Sequence, residues 1–144
     1  MCLNGDKFEH MRVGNNLGYE KHIYQDPTGK SIIEKDHIKD LGVIISNNLK
    51  WKKHIDMVVS KTRTMSGWVL RTFSTREIYP MITLWNSLVR PNLDYCSPLW
   101  SPRPKNYKEI DQIEQTQRSF TKCIKRMENL DYVERLKKLK MNSV

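Results

Sequence analysis

The spacing of the apolar residues changes near Asn48, about a third of the way along the chain. Before that point the apolar residues form short runs with a period of two, and after it they recur every three or four residues, as on a helix. The longest stripe runs from Trp51 to Phe73 and predicts one amphipathic helix of about seven turns. We therefore expect an α+β chain that is mainly α, with a small antiparallel β region followed by a basic helical bundle.

The first 47 residues predict short strands. Residues 7–13 and 38–46 have strand-like composition, and the order Asp-Pro-Thr-Gly at 26–29 is typical of a type I turn that joins two strands as a hairpin. Gly42 interrupts the run 38–46, which indicates either a bulge or a close approach of the backbone. The residues alone favour the bulge.

A second helix is expected to begin near Ser74, because Ser74 and Glu77 form a capping-box pattern. Pro80 favours a later start or a kink, since proline has no N–H to donate within a helix. Pro91 biases Arg90 away from the α region, so this helix should end or bend there.

A third helix is predicted from about Tyr107 to Met127 with Asn106 as its N-cap, and Asp131 should cap a last short helix. The corner between the second and third helices is rich in proline and aromatic residues. Packing between the two helices is the simplest role for its large side chains, which are Tyr95, Leu99 and Trp100.

The positive charge of the chain is concentrated in its helical part. Residues 1–48 hold six Lys/Arg against seven Asp/Glu, whereas residues 49–144 hold nineteen against nine, so the two parts carry −1 and +10. This asymmetry favours a polyanionic partner for the second part. The alternative is a lysine-rich surface that only keeps the chain soluble.

Several classes of site are absent from the sequence. The three cysteines are far apart and the four histidines are scattered, which argues against zinc and for free thiols in a reducing compartment. There is no signal-peptide pattern, and the longest uncharged run, of twelve residues, is too short for a membrane span. No adjacent Asp-Asp pair and no phosphate-binding glycine loop occur. These features predict an intracellular chain without a membrane partner.

A series of short motifs, in a fixed order from about Asn4 to Met141, resembles the C-terminal part of LINE-type reverse transcriptases. These are the RNA-directed DNA polymerases of non-LTR retrotransposons, and the resemblance is to the jockey-like groups. The motifs are Lys39-Asp40-Leu41-Gly42-Val43, Leu49-x-Trp51-x-x-His54-Ile55, Leu88-Val89-Arg90-Pro91-x-Leu93-x-Tyr95, Trp100-Ser101-Pro102, and Ile113-Glu114-x-x-Gln117-Arg118-x-Phe120-Thr121-Lys122.

The resemblance implies a division of the chain into the end of a polymerase palm (1–47) and a helical thumb with its C-terminal extension (48–144). Leu41 and Gly42 match the family's primer-grip motif, in which a tight hairpin holds the 3′ end of the primer. Lys7 matches a family-motif lysine thought to assist the departure of pyrophosphate, although Phe8 stands where the family has a small residue.

The family's catalytic Asp-Asp motif lies upstream of the matching region and is missing here, so the chain alone is predicted to be inactive. The parent polymerase uses Mg²⁺ and deoxynucleotides, whereas this chain is expected to bind no cofactor itself. The partners implied are an RNA–DNA hybrid or duplex and the rest of the palm, in the nucleus or in a cytoplasmic ribonucleoprotein. The basic residues expected to bind nucleic acid are Lys50, Lys52, Lys53, Lys61, Arg63, Arg118, Lys122 and Lys125.

Two alternatives remain open at this point. The chain could be an autonomous nucleic-acid-binding module derived from such an element, or a helical protein-interaction module whose charge is incidental. Binding that weakens steeply with salt would separate the nucleic-acid hypotheses from the last one.

Overall fold

The computed structural model describes residues 7–14, 22–102 and 107–143, and the chain divides into two compact units, Met1–His54 and Ile55–Val144. Helices dominate, and the described residues hold one two-stranded antiparallel sheet, so the predicted α+β, mainly α class is confirmed. The assignment of residues 1–47 to a palm and 48–144 to a thumb stays a prediction.

The sheet of the first unit is a tight hairpin. Strand β1 (His37–Asp40) pairs with β2 (Val43–Ser46), and the last residue of β1, Asp40, lies opposite Val43. Only Leu41 and Gly42 connect the strands, and their φ angles of 45° and 88° are both positive. A two-residue loop with two positive φ values is the turn that matches the twist of its strands. The bulge expected at Gly42 is therefore wrong, because this glycine forms half of the turn.

The other described residues of the first unit have less regular structure than the sequence predicts. The turn at 26–29 forms, with the Gly29 N–H donating to the carbonyl of Asp26 at 2.9 Å, and the Asp26 carboxylate accepts from the Thr28 N–H at 2.8 Å. Among the described residues, its flanking strands are reduced to one antiparallel bridge, Gln25↔Ser31, and the start of the first of these predicted strands, at 19–21, lies outside the described residues. Within residues 7–13, the expected strand is likewise one bridge, between His10 and Glu34.

The long predicted helix is confirmed as α1 (Lys52–Thr72). Its apolar stripe is buried at Ile55, Val58, Val59 and Val69. Thr62 is buried in the same stripe, and its hydroxyl donates to the carbonyl of Val58 at 2.8 Å, so this polar atom keeps a partner inside.

The second helix begins later than Ser74 and does not end before Pro91. Helix α2 (Ile78–Leu84) has Glu77 as its N-cap, continues as a π-helical turn (Trp85–Val89), and is followed by the short α3 (Pro91–Asp94). Arg90 keeps helical angles, and its N–H donates to the carbonyl of Trp85, five residues back, at 2.8 Å.

Asn92 satisfies two carbonyls of the helical turn beside Pro91. Proline has no N–H, so it removes one donor from the helix at this point. The side-chain amide of Asn92 donates to the carbonyls of Leu88 at 2.9 Å and Val89 at 3.1 Å, which gives these two acceptors a partner.

The corner that follows packs through one side chain rather than three. Helix α4 (Ser97–Trp100) ends in Trp100, which is 2% exposed and donates its Nε1–H to the carbonyl of Tyr95 at 2.8 Å. Tyr95 and Leu99 are 52% and 57% exposed. The prediction that all three side chains pack the helices together is therefore wrong for Tyr95 and Leu99, because both side chains are exposed. Tyr95 contributes its backbone carbonyl to the corner instead of its ring.

Helix α5 (Tyr107–Lys122) ends five residues before the predicted Met127, and Asn106 lies outside the described residues. Beyond the helix, the Lys125 N–H donates to the carbonyl of Arg76 at 2.8 Å, and Arg126 has a φ of 66°. The Lys125 N–H is thus bonded to a carbonyl distant in sequence, that of Arg76, instead of to one in the preceding turn of α5. In the core, the ring of Phe120 lies 4.9 Å from the ring of Trp85 between centroids.

The last helix, α6 (Tyr132–Leu139), begins as predicted at Asp131. The Asp131 carboxylate accepts from the Val133 N–H, and the Glu134 carboxylate accepts from the Asp131 N–H, which is a complete capping box.

Candidate nucleic-acid interface

The predicted primer-grip residues form the tip of the β1–β2 hairpin. Leu41 is 84% exposed and occupies the left-handed region, which costs a non-glycine residue roughly 1–2 kcal/mol. Gly42 follows with a φ of 88°, which glycine adopts without strain. The chain thus presents a large apolar side chain at a tight turn, where asparagine or aspartate would be more stable.

Three predicted basic residues lie just before and within the first turn of α1. Lys50 follows a turn in which its N–H donates to Oδ1 of Asn48 at 3.0 Å, and Lys50, Lys52 and Lys53 are all exposed. Lys53 also contacts the hairpin, because its Nζ lies 2.9 Å from Nδ1 of His37 on β1. The first unit therefore carries both the hairpin tip and three of the lysines predicted to bind nucleic acid, Lys50, Lys52 and Lys53.

Lys61 and Arg63 lie farther along α1, where both side chains are exposed. Their neighbours Val58, Val59 and Thr62 are buried, so the two cations stand off the apolar stripe as the helical period predicts. Arg71, which the sequence reasoning left out of the site, is exposed on the same helix. Its position off the stripe was the signal that could have identified it.

The second predicted patch is partly occupied by contacts within the chain. The guanidinium of Arg118 lies 3.5 Å from Oδ1 of Asp111 and 4.9 Å from the centre of the Tyr132 ring. Lys125 pairs with Glu77 at 2.6 Å, and the hydrogen bond and charge of Lys125 lower the pKa of the Glu77 carboxyl. Lys122, the last residue of α5, is exposed.

A buried polar network fixes the surroundings of Arg118. Glu114 of α5 is 6% exposed, and its Oε1 accepts hydrogen bonds from the Tyr132 hydroxyl and, at 2.9 Å, from the Ser143 hydroxyl. Burial, followed by the hydrogen bond and charge of Glu114, raises the pKa of Tyr132 well above its ordinary value. Arg118 is therefore held beside α6 instead of extending freely into solvent.

Lys7 is exposed, and Asn4, the other residue of its motif, lies outside the described residues. Within residues 7–14, 22–102 and 107–143, no group of three or more His, Cys, Asp or Glu side chains is arranged to hold a metal ion. Over the same residues, no helix has the length and apolar character needed to cross a membrane.

Comparisons with protein-family models, with curated proteins and with solved structures gave no match to this chain.

Proposed function

We propose that this chain is the primer-grip and thumb portion of a LINE-type reverse transcriptase, and that it binds an RNA–DNA hybrid or duplex without catalysing synthesis alone. The observation that carries the proposal is the hairpin tip. The residues alone favoured a bulge at Gly42, whereas the resemblance implied a tight hairpin, and the two-residue turn at Leu41 and Gly42 supports the proposal.

The tip has a physical reason to approach a nucleic-acid backbone. A turn whose second residue lacks a side chain lets the main chain come close to a sugar–phosphate, and an exposed leucine offers apolar contact to a sugar or base. An exposed leucine in a left-handed conformation reduces stability, so its presence supports a role in binding.

The exposed cations support the second half of the proposal. Every predicted basic residue except Arg118 is exposed, and those of α1 stand away from its buried stripe. Cations on such a face bind phosphates by charge, which positions a duplex without reading its sequence. Mg²⁺ would be held by the catalytic aspartates of the parent polymerase, which are not part of this sequence.

The proposal is tested by a double substitution on α1, Lys61→Glu with Arg63→Glu. We choose these residues because Lys53 also contacts His37, so that changing it would disturb the hairpin. For each phosphate that the variant no longer binds, the slope of log affinity against log salt should decrease by about 0.9 on duplex DNA. Gel-shift titrations at several salt concentrations should show weaker binding to all sequences and a shallower slope.

The matched control is Lys137→Glu with Lys138→Glu on α6, because both lysines are exposed and the change in net charge is the same. The control should retain most of the affinity and the parental salt slope. If the two double variants bind equally well, the cations of α1 make no specific contact and the proposal is wrong.

A helical protein-interaction module is the second candidate. The exposed apolar side chains of Tyr95 and Leu99 at the corner favour it, as do the intramolecular contacts of Arg118 and Lys125. In that case duplex binding should be weak in the parent, even at low salt.

A further inference from the structure

Each strand of the hairpin meets the first turn of α1 through the Nδ1 atom of a histidine. On β2, the Ile44 N–H donates to Nδ1 of His54 at 3.2 Å. On β1, Nζ of Lys53 lies 2.9 Å from Nδ1 of His37. The two contacts involve neighbouring helix residues, Lys53 and His54, and both lie within the unit Met1–His54.

The chemistry of the donors makes Nδ1 the acceptor in both contacts. A backbone N–H can only donate, and a lysine ammonium has three hydrogens and no lone pair. Nδ1 must therefore be the acceptor in both contacts, and an imidazole has an acceptor nitrogen only when it is neutral. The hydrogen bond between Ile44 and His54 therefore exists only while the His54 ring is uncharged.

We infer that His54 forms a proton-sensitive clamp that holds strand β2 of the hairpin against the first turn of α1 at neutral pH and releases it in acid. A proton on Nδ1 of His54 would face the Ile44 N–H and remove the acceptor of this hydrogen bond. The clamp goes beyond the proposed function and does not depend on it.

The surroundings of His54 strengthen the effect. His54 is 1% exposed, and burial lowers its pKa below the ordinary value because the charged ring loses its hydration. Its aromatic neighbour is Trp51, whose ring lies in an edge-to-face arrangement with the imidazole, with centroids 6.4 Å apart.

The other charged groups on and beside the three elements of the clamp define its electrostatic environment. Strand β2 carries none, and Asp36, which precedes β1, pairs through its carboxylate with the Asn47 amide at 3.3 Å. Asp56 of α1 accepts from the Gln112 amide at 3.3 Å. The remaining groups are Lys39 and Asp40 of β1, Lys50 before α1 and Lys52 in its first turn, and farther along α1 Lys61, Arg63 and Arg71.

The direction of the pH dependence follows from these facts. Because Nδ1 of His54 accepts from the Ile44 N–H only while the ring is neutral, and burial lowers the pKa of His54 in the attached state, the attachment is complete above about pH 6.5 and is lost as pH falls below it. Affinity for a polyanion normally increases in acid, because histidines gain positive charge. The attachment of the hairpin to α1, in contrast, weakens in acid.

Hydrogen exchange of the full-length chain tests the clamp. We expect the protection factor of the Ile44 amide to fall several-fold, and at most about tenfold, between pH 7.5 and pH 5.5, while that of the buried Val59 amide on α1 stays constant. The variant His54→Asn places an amide oxygen at the position of Nδ1 and does not titrate in this range, so its Ile44 amide should stay protected at both pH values. The control His22→Asn removes an exposed histidine and should behave like the parent.

Two results would overturn the clamp. One is a protection factor for Ile44 in the parent that does not change with pH. The other is ¹⁵N NMR of the parent rings showing that Nδ1 of His54 carries a hydrogen at pH 7.5, a measurement that needs no variant and so holds even if His54→Asn misfolds.

Discussion

The hydroxyl of Tyr132 donates to Oε1 of Glu114, and this hydrogen bond joins the first residue of α6 to a carboxylate buried in the middle of α5. The Arg118 and Arg135 guanidinium groups lie over the same ring, at 4.9 Å and 5.6 Å from its centre. The two guanidinium groups contact the ring, whereas the hydroxyl, together with that of Ser143, offsets part of the cost of burying the Glu114 carboxylate. The two roles can therefore be separated by removing one oxygen atom.

Tyr132→Phe should destabilise the chain by about 1–3 kcal/mol, because a buried carboxylate loses one donor and keeps the Ser143 hydroxyl. Urea unfolding followed by circular dichroism measures the change. Tyr107→Phe is the control, since Tyr107 is exposed on the same helix as Glu114. Equal stability of the two variants would show that the hydrogen bond contributes nothing.

The same hydrogen bond predicts alkaline sensitivity. The raised pKa of Tyr132 means that the folded chain keeps this proton after the unfolded chain has lost it, above about pH 10. The free energy of unfolding should then fall as pH rises, by at most about 1.4 kcal/mol per pH unit from this group. The parent should lose stability more steeply than Tyr132→Phe above pH 10. Parallel stability curves for the two proteins would contradict the assignment.

Gly67→Ala should stabilise the chain by about 0.5–1 kcal/mol, because glycine inside a helix loses more backbone entropy on folding than alanine. A Cβ at this position would meet only the end of the Arg71 side chain, with Nη1 at 3.1 Å, and that guanidinium can move. Thermal unfolding gives the change in Tm. A lower Tm would mean that displacing the Arg71 guanidinium from Gly67 costs more stability than the reduced loss of backbone entropy provides.

Leu41→Asn should separate stability from binding at the hairpin tip. Asn-Gly is a preferred pair for a turn with two positive φ values, so the substitution should stabilise the hairpin by about 1 kcal/mol. Duplex affinity should fall, because the exposed leucine is removed. Hydrogen exchange of the β2 amides and gel-shift titration measure the two effects. A more stable hairpin with unchanged affinity would exclude Leu41 from the interface.

Glu77→Gln should strengthen duplex binding, because it releases Lys125 from its ion pair. Binding one more phosphate would steepen the salt slope by about 0.9. Glu128→Gln is the matched control, since Glu128 is exposed and its substitution changes the net charge equally. If both variants bind alike, Lys125 is not part of the interface.

The parts of the fold that depend on residues close together in the sequence could be predicted. Those that depend on a contact with a residue far away in the sequence could not. The stripe from Ile55 to Val69 defines α1, and Asp131 with Glu134 defines the start of α6. The end of α5 could not be read in this way, because the Lys125 N–H finds its acceptor at Arg76.

The candidate site shows the same limit. The helical period correctly placed Lys61 and Arg63 away from the buried stripe. The partners of the second patch were missed because nothing near Lys125 in sequence points to Glu77, which lies 48 residues away. Gly42 was misjudged for a different reason, since one glycine fits both a bulge and a turn until the pairing of the strands is known.

The π-helical turn at Trp85–Val89 has a consequence for how the chain tolerates insertions and deletions. Such a turn holds one residue more than an α-helical turn, and Asn92 already gives the carbonyls beside Pro91 a partner. Deleting one residue here should convert the turn to α-helix and leave Met81 and Leu93, both buried, on the same faces as before. The same deletion in the middle of α5 would rotate every later side chain by about 100° and turn Phe120 out of the core. We therefore expect this turn to accept a change of length that α1 and α5 cannot.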